Sequence, residues 1–424
     1  MILIKDGRLI DPKSKRDEVV DIIIKDDRIY KIGNFEETNE YDQVINAKGK
    51  IIAPGLIDVH VHFRDPGFTY KEDIKSGAES AAAGGFTTVV CMANTNPIVD
   101  NEETLKYIIE QGKNTSINVK QVASITKGFK GKELVNMKEL LANGAVGFSD
   151  DGVPIRDSRL VLEAMNIAKE LNVPLSFHEE DPFLIGTAGV NDGQVSKSLG
   201  LEKGAPNEAE DVLVARDCML ALKSKAKIDI QHISSGNSVD MIRYIKSLGA
   251  NVVAEASPHH FSLTEKDVLK HGTLAKMNPP LRTEEDKMKI IEALKDNTIE
   301  IIATDHAPHS VEEKEREFKK APSGIIGLET SLALGITNLV KKNHLSMMEL
   351  LEKMTINPAK LYNFDLGYLC EGSKADIVIF DEDEEWEVPK TFKSKAVNTP
   401  FIGMKLYGRV KYTICNGKIA YKEI

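Results

Sequence analysis

The chain has 424 residues, 42% of them hydrophobic and 28% charged, with a formal net charge of −10. That balance is typical of a folded globular protein, and the acidic surplus argues against a nucleic-acid-binding surface. No run of about 18 apolar residues is present, and the start, Met1-Ile2-Leu3-Ile4-Lys5-Asp6-Gly7, lacks the pattern of a secretory leader, so we expect a cytoplasmic protein without a membrane partner. Cys91, Cys218, Cys370 and Cys415 form no Cys-x-x-Cys pair and indicate neither a disulfide framework nor a thiolate metal knuckle.

Residues 1–50 read as short strands over 1–5, 19–25 and 28–32, punctuated by turns at Asp6-Gly7 and Asp26-Asp27. Near the other end, 375–380, 407–415 and 418–421 repeat the pattern, with Asn416-Gly417 as a hairpin turn. Neither set alone has enough strands for a stable core. The two termini are therefore expected to combine, as residues 1–54 and 363–424, into one small composite β-sandwich.

Between them, strand patterns at 56–62, 87–92, 118–124, 145–149, 174–178, 227–232, 251–256 and 300–304 alternate with helical patterns at 74–83, 159–171, 209–223, 238–248 and 285–295, and 328–341 follows the eighth. Eight such units predict a (β/α)8 barrel over 55–362, whose functional groups should collect at the carboxyl ends of its strands. Eight of the ten histidines, all but His271 and His344, stand at or just beyond a predicted strand end. The charge runs at 312–317 and 381–385 read as solvated faces or loops.

On the first strand, alternation points His60 and His62 the same way. The fourth ends in Ser149-Asp150-Asp151-Gly152, and the fifth, sixth and eighth supply His178, His232 and Asp305. Imidazole and carboxylate donors suit a first-row divalent metal, and these are more than one tetrahedral ion can use, so two ions sharing a bridge are expected. Only one of the adjacent Asp150 and Asp151 can easily face them, and spacing alone does not choose.

The stretch Asp58-Val59-His60-Val61-His62-Phe63-Arg64-Asp65-Pro66-Gly67, together with Ala303-Thr304-Asp305-His306-Ala307-Pro308-His309 and Lys314, resembles the two signatures of the dihydroorotases within the amidohydrolase superfamily. Met92-Ala93-Asn94-Thr95 and Met277-Asn278-Pro279-Pro280-Leu281-Arg282 resemble segments of the bacterial type I group, so the likeness covers nearly the whole chain. It implies a (β/α)8 barrel with an attached β domain and one or two zinc ions per chain. One ion would lie on His60, His62 and Asp305 and the second on His178 and His232, with Asp151 bridging. Many relatives bridge with a carboxylated lysine, but no lysine stands between residues 145 and 156 here.

The activity implied is the reversible cyclisation of N-carbamoyl-L-aspartate to L-dihydroorotate in pyrimidine biosynthesis, with Asp305 both ligand and catalytic proton carrier. Arg64, two residues past His62 on the same strand face, would fork onto the substrate carboxylate; by the resemblance Asn94 and His309 join it there, Asn278 and the Ser323-Gly324 backbone meet the ring, and His62 also binds substrate. Ser323 departs from the phenylalanine expected in much of the type I pattern. His259 and His260 are expected behind the ligands, and 310–320 reads as a lid or an ordinary exposed loop. Family habit adds a homodimer and, for some members, aspartate transcarbamoylase as partners. The rival readings are another cyclic amidohydrolase (hydantoinase, dihydropyrimidinase or allantoinase) and a scaffolding relative. The second fits poorly with six ligands in place.

Overall fold

Five strands open the chain: β1 (Ile2–Asp11), β2 (Arg16–Lys25), β3 (Arg28–Gly33), β4 (Gln43–Asn46) and β5 (Ile51–Pro54). Eight follow through the middle: β6 (Leu56–Val61), β7 (Phe86–Cys91), β8 (Asn118–Gln121), β9 (Phe148–Ser149), β10 (Leu175–Phe177), β11 (Ile228–Ile230), β12 (Val252–Ala256) and β13 (Ile301–Ile302). The chain ends with β14 (Ile377–Glu387), β15 (Lys405–Cys415) and β16 (Lys418–Lys422). The structure, a computed structural model, describes residues 1–38 and 40–423.

The termini meet in one sheet of order β16-β15-β14-β5-β1-β2-β3, with β4 pairing on β1. Their junction is antiparallel, from Ile377 opposite Pro54 to Phe380 opposite Ile51. Val20, Ile22 and Ile29 from one flank share an apolar cluster with Ile377, Ile379 and Ile414 from the other, so the sheet folds across its own core as a sandwich. Asn416-Gly417 turns as expected, with φ of 49° and 74°, and a Cβ on Gly417 would lie 1.8 Å from the Asp26 carbonyl oxygen. Asp6-Gly7 does not turn. β1 runs through it with a bulge between Ile4 and Gly7, and the Asp21 carboxylate accepts the Asp6 N–H at 2.8 Å.

The middle strands run parallel in two arcs, β6-β7-β8 and β9 to β13. Bridges from Ala123 to Phe148 and from Val61 to His306 join the arcs into a ring of eight. Every residue of β6 and β7 is buried, as strands covered on both faces require. Asp73, Asp157, Ser235 and Thr283 cap helices that return the chain between strands, their side chains accepting first-turn N–H groups. Two helices, Glu102–Gly112 and Met137–Ala142, were not read from the sequence, although Asn101 and Asn136 cap them in the same way.

The single helix expected over 328–341 is shorter and irregular. It begins at Ser331 and widens into a π turn over Ile336–Val340. Glu329 lies outside it, accepting N–H bonds from Lys393 and Ser394 instead. The expected division into 1–54, 55–362 and 363–424 we retain as a proposal, noting that 388–404, between β14 and β15, leaves the sheet and crosses to the barrel mouth.

Candidate metal centre and substrate cavity

The strand ends of the barrel bring six of the expected donors together. His60 stands on β6 and His62 just past its end, Asp151 follows β9, His178 follows β10, His232 follows β11 and Asp305 follows β13. Asp305 and His232 have φ of 49° and 35°, left-handed values that non-glycine residues adopt rarely.

Asp151 is the hub. Its Oδ1 lies 3.5 Å from His60 Nε2, 3.7 Å from His178 Nδ1 and 3.9 Å from His232 Nε2, and its Oδ2 lies 3.5 Å from His62 Nε2. Asp305 Oδ1 approaches His62 Nε2 at 3.0 Å and His60 Nε2 at 3.5 Å. Two donor groups result, His60-His62-Asp151 and Asp151-His178-His232, each with ligand atoms within 4.8 Å of one another. Asp150 points elsewhere, accepting the Ile125 and Thr126 N–H groups at 2.7 and 3.0 Å.

The ring nitrogens turned away from this cluster have partners of their own. His60 Nδ1 meets Glu255 Oε2 at 3.2 Å, His62 Nδ1 meets Asn94 Oδ1 at 2.9 Å and His178 Nε2 meets Glu180 Oε2 at 3.1 Å. A hydrogen held on each outer nitrogen leaves the inner lone pair for a cation, the arrangement metal-binding histidines use. His60 Nε2 is buried and lacks a hydrogen-bond partner among the described residues, an orphan that a cation would satisfy. Burial works to raise the carboxyls of Asp151 and Asp305, yet the facing imidazoles, His60 for the first and His62 for the second, hold both below the usual range. The donor set therefore fits divalent metal.

Sequence reasoning missed Glu255, Glu180 and Asp229. Glu180 had a weak signal, two residues after His178; Glu255 and Asp229 had none, because only barrel closure brings them near His60. Asp229 is fully buried beside Glu255, and burial followed by that neighbouring charge pushes its carboxyl well above the usual range.

Above the donors opens a cavity of about 280 Å³ lined by Asp151, His178, His232 and Asp305 and by His62, Arg64, Asn94, Asn278, His309, Ser323 and Gly324, with His60 buried beneath its floor. The strand alternation expected to bring Arg64 here does not operate, because β6 ends at Val61; instead a left-handed turn at Arg64, φ 59°, aims the side chain inward. Its Nε donates to the Pro308 carbonyl at 3.3 Å, and the guanidinium has no ion pair among the described residues. Asn94 has both ends of its amide engaged, Oδ1 on His62 and Nδ2 on Asp151 Oδ2 at 3.1 Å. The Ser323 hydroxyl donates to Asn278 Oδ1 at 3.0 Å, and Gly324 N–H donates to the Lys276 carbonyl at 2.9 Å. Burial, then the charge of Arg64, push the His309 imidazole down to about 2, so it is neutral.

His259 and His260 contribute no donor. Their rings pack together with centroids 4.3 Å apart, and His260 Nε2 meets the Pro279 carbonyl at 3.1 Å. The 310–320 segment is tied down at two points. Glu313 pairs with Lys71 at 3.0 Å, and the buried Lys314 donates to the Pro322 and Gly324 carbonyls at 2.9 and 3.1 Å.

No helix among the described residues is long and apolar enough to cross a membrane. Residues 51–420 match the amidohydrolase family. A dihydroorotase of Clostridioides difficile (strain 630) is 70% identical over 421 residues, 99% of this chain and all of that one, and a dihydroorotase of Clostridium acetobutylicum is 57% identical over the full length of both. Among solved structures, an L-hydantoinase from Arthrobacter aurescens superimposes with a TM-score of 0.88 at 27% identity, covering 99% of this chain and 95% of that one. With its barrel, its terminal sheet and full-length likeness of this order, the chain belongs to the amidohydrolase family and, within it, to the dihydroorotases.

Proposed function

We propose that the chain is a metal-dependent dihydroorotase that interconverts N-carbamoyl-L-aspartate and L-dihydroorotate. The observation that carries the substrate assignment is Arg64, a cavity-lining guanidinium with no ion pair among the described residues. A neutral ring would leave it unmatched, whereas a ring carboxylate completes it with a charge-assisted fork.

The donor set, imidazoles plus carboxylates, suits zinc. His60, His62 and Asp305 would hold one ion and His178 and His232 the other, with Asp151 shared because it belongs to both donor groups. Such ions supply Lewis acidity, making water a nucleophile near neutral pH and polarising a carbonyl. The chain's own residues do the rest. Arg64 and the neutral His309 set the carboxylate end, Asn278, held by Ser323, borders the ring, and Asp305 Oδ1 takes the proton of the attacking water and passes it to the leaving ring nitrogen.

The likeness to an L-hydantoinase keeps a second cyclic amidohydrolase reading in view. Assays on L-dihydroorotate, N-carbamoyl-L-aspartate, dihydrouracil, hydantoin and allantoin separate the two. We expect the first two compounds to be preferred by several orders of magnitude, and comparable rates on dihydrouracil would reject the assignment. Zinc content of the purified protein tests the metal. Sedimentation alone and with an aspartate transcarbamoylase tests the homodimer and that partnership, and fractionation tests the cytoplasmic expectation.

A further inference from the structure

Asn398, on the segment that crosses from the terminal sheet to the barrel mouth, is 2% exposed and has its whole side chain engaged. Its Oδ1 accepts the His309 N–H at 3.1 Å, and its Nδ2 donates to the carbonyls of Ala307 at 3.1 Å and Gly324 at 3.0 Å. Its backbone carbonyl accepts the Ile326 N–H at 3.0 Å. One donor faces the oxygen and two carbonyls face the nitrogen, so the partners set the direction of the amide. We infer that Asn398 is a positioning residue for the carboxylate end of the cavity, holding the turns that carry His309 and Ser323-Gly324 at the spacing the substrate needs; the ligand is the one assigned by the dihydroorotase reading above.

Three features support this. His309 is a thin partition, lining the substrate cavity on one side and a second cavity of about 440 Å³ on the other. With that space behind it, close packing does little to hold the turn forward, and hydrogen bonds must. The other bonds from outside each hold one turn. Arg64 Nε to the Pro308 carbonyl and Lys71 Nζ to His309 Nδ1, both 3.3 Å, hold the first; Lys314 Nζ to the Gly324 carbonyl, 3.1 Å, and Gly324 N–H to the Lys276 carbonyl, 2.9 Å, hold the second. His309 Nε2 to the Ser323 carbonyl and Ala307 N–H to the Ile325 carbonyl, both 2.8 Å, join the turns to each other, whereas Asn398 bonds to both from a third segment. Finally, the segment bearing Asn398 is anchored to the barrel by two buried or half-buried carboxylates. Glu329 accepts the Lys393 and Ser394 N–H groups at 2.9 and 3.1 Å, and the fully buried Glu72 accepts the Lys395 N–H at 3.3 Å and the Ser394 hydroxyl.

The test is steady-state kinetics of Asn398→Ala beside the unmutated protein, with metal content measured on both. Positioning predicts a KM for L-dihydroorotate raised about tenfold or more, as loss of shared hydrogen bonds implies, with kcat within about threefold and metal content unchanged. A merely structural role lowers only the active fraction, so a fall in kcat at unchanged KM, or no change in either, overturns the inference. Should the alanine protein not fold, the unmutated protein decides. Coupling is reciprocal, so L-dihydroorotate must slow amide hydrogen exchange at 396–399 together with 306–309 and 323–326. Protection of the two turns without 396–399 also overturns it. Failure of the dihydroorotase reading is told apart because the unmutated protein would then turn over neither L-dihydroorotate nor N-carbamoyl-L-aspartate.

Discussion

Along the metal wall of the cavity every donor stands on a barrel strand or within three residues of its end, and three of the imidazoles are aimed by Glu255 and Asn94 from other strand ends and by Glu180 two residues past His178. Along the opposite wall Arg64, His309, Ser323 and Gly324 sit on turns; the Pro308 carbonyl holds the Arg64 side chain, and Asn398, Lys276 and Lys314 hold the backbone of His309 and Gly324. Strands place a side chain through a sheet that cannot shift without unpairing, whereas turns place it through individual hydrogen bonds. The first construction suits ions that tolerate little displacement. The second leaves the substrate wall adjustable by single residues.

If the walls are independent, variants of the metal wall should change metal content, and variants of the substrate wall should change KM with metal intact. His60→Ala removes a donor of the ion expected on His60, His62 and Asp305, so we expect loss of that ion by elemental analysis and no measurable turnover. Unchanged zinc content would break the assignment. Asp305→Asn keeps the shape but cannot take a proton as a carboxylate does, and turnover should fall by about 10²-fold or more with circular dichroism unchanged. Near-normal rates would leave Asp305 a structural role only.

Arg64→Met belongs to the other wall. Losing a charge-assisted bond should raise KM for L-dihydroorotate by about 10- to 10²-fold, leave zinc in place, and narrow the preference over dihydrouracil. Zinc lost along with affinity would show that the walls are not separable. Glu255→Gln acts on the metal wall one step back, through His60, and should weaken metal binding by about 10- to 10²-fold in a chelator competition while KM moves little.

The smallest effect lies far from both walls. Lys353 is 1% exposed, its Nζ donating to Asn297 Oδ1 at 2.6 Å, and burial pushes it down to about 8 from an ordinary 10.5. Between those values the unfolded chain holds a proton that the folded chain has released, so this residue makes stability rise with pH from about 8 to about 10.5. Denaturant midpoints at the two ends of that window should show the rise, and Lys353→Met should remove its share. An identical pH slope in the variant would mean that Lys353 titrates normally.

Much of this molecule was legible in order along the chain. Short, mostly apolar runs such as 56–61, alternating with helical periods, marked all eight barrel strands, and His60 and His62 were readable as donors because alternation is a local property of a strand. Asp305, His178 and His232 were readable because a parallel barrel gathers the carboxyl ends of its strands at one mouth. The Asp6-Gly7 bulge was not, since it depends on Asp21 reaching across from the next strand to satisfy the freed N–H.

What only the tertiary structure decided are relations between residues far apart in sequence. Spacing left Asp150 and Asp151 open and the family resemblance favoured Asp151; the physical reason, Thr126 and Ile125 claiming Asp150, came from the structure, as did the aim of Arg64, a left-handed turn after the strand had ended. Glu255 lies 195 residues from the histidine it orients, and Asn398 lies 89 from His309 and 74 from Gly324. Sequence periodicity reports which face of its own element a side chain takes. Whose hydrogen bond it completes is determined by how the elements close on one another, and for the substrate wall that closure includes a segment from the far end of the chain.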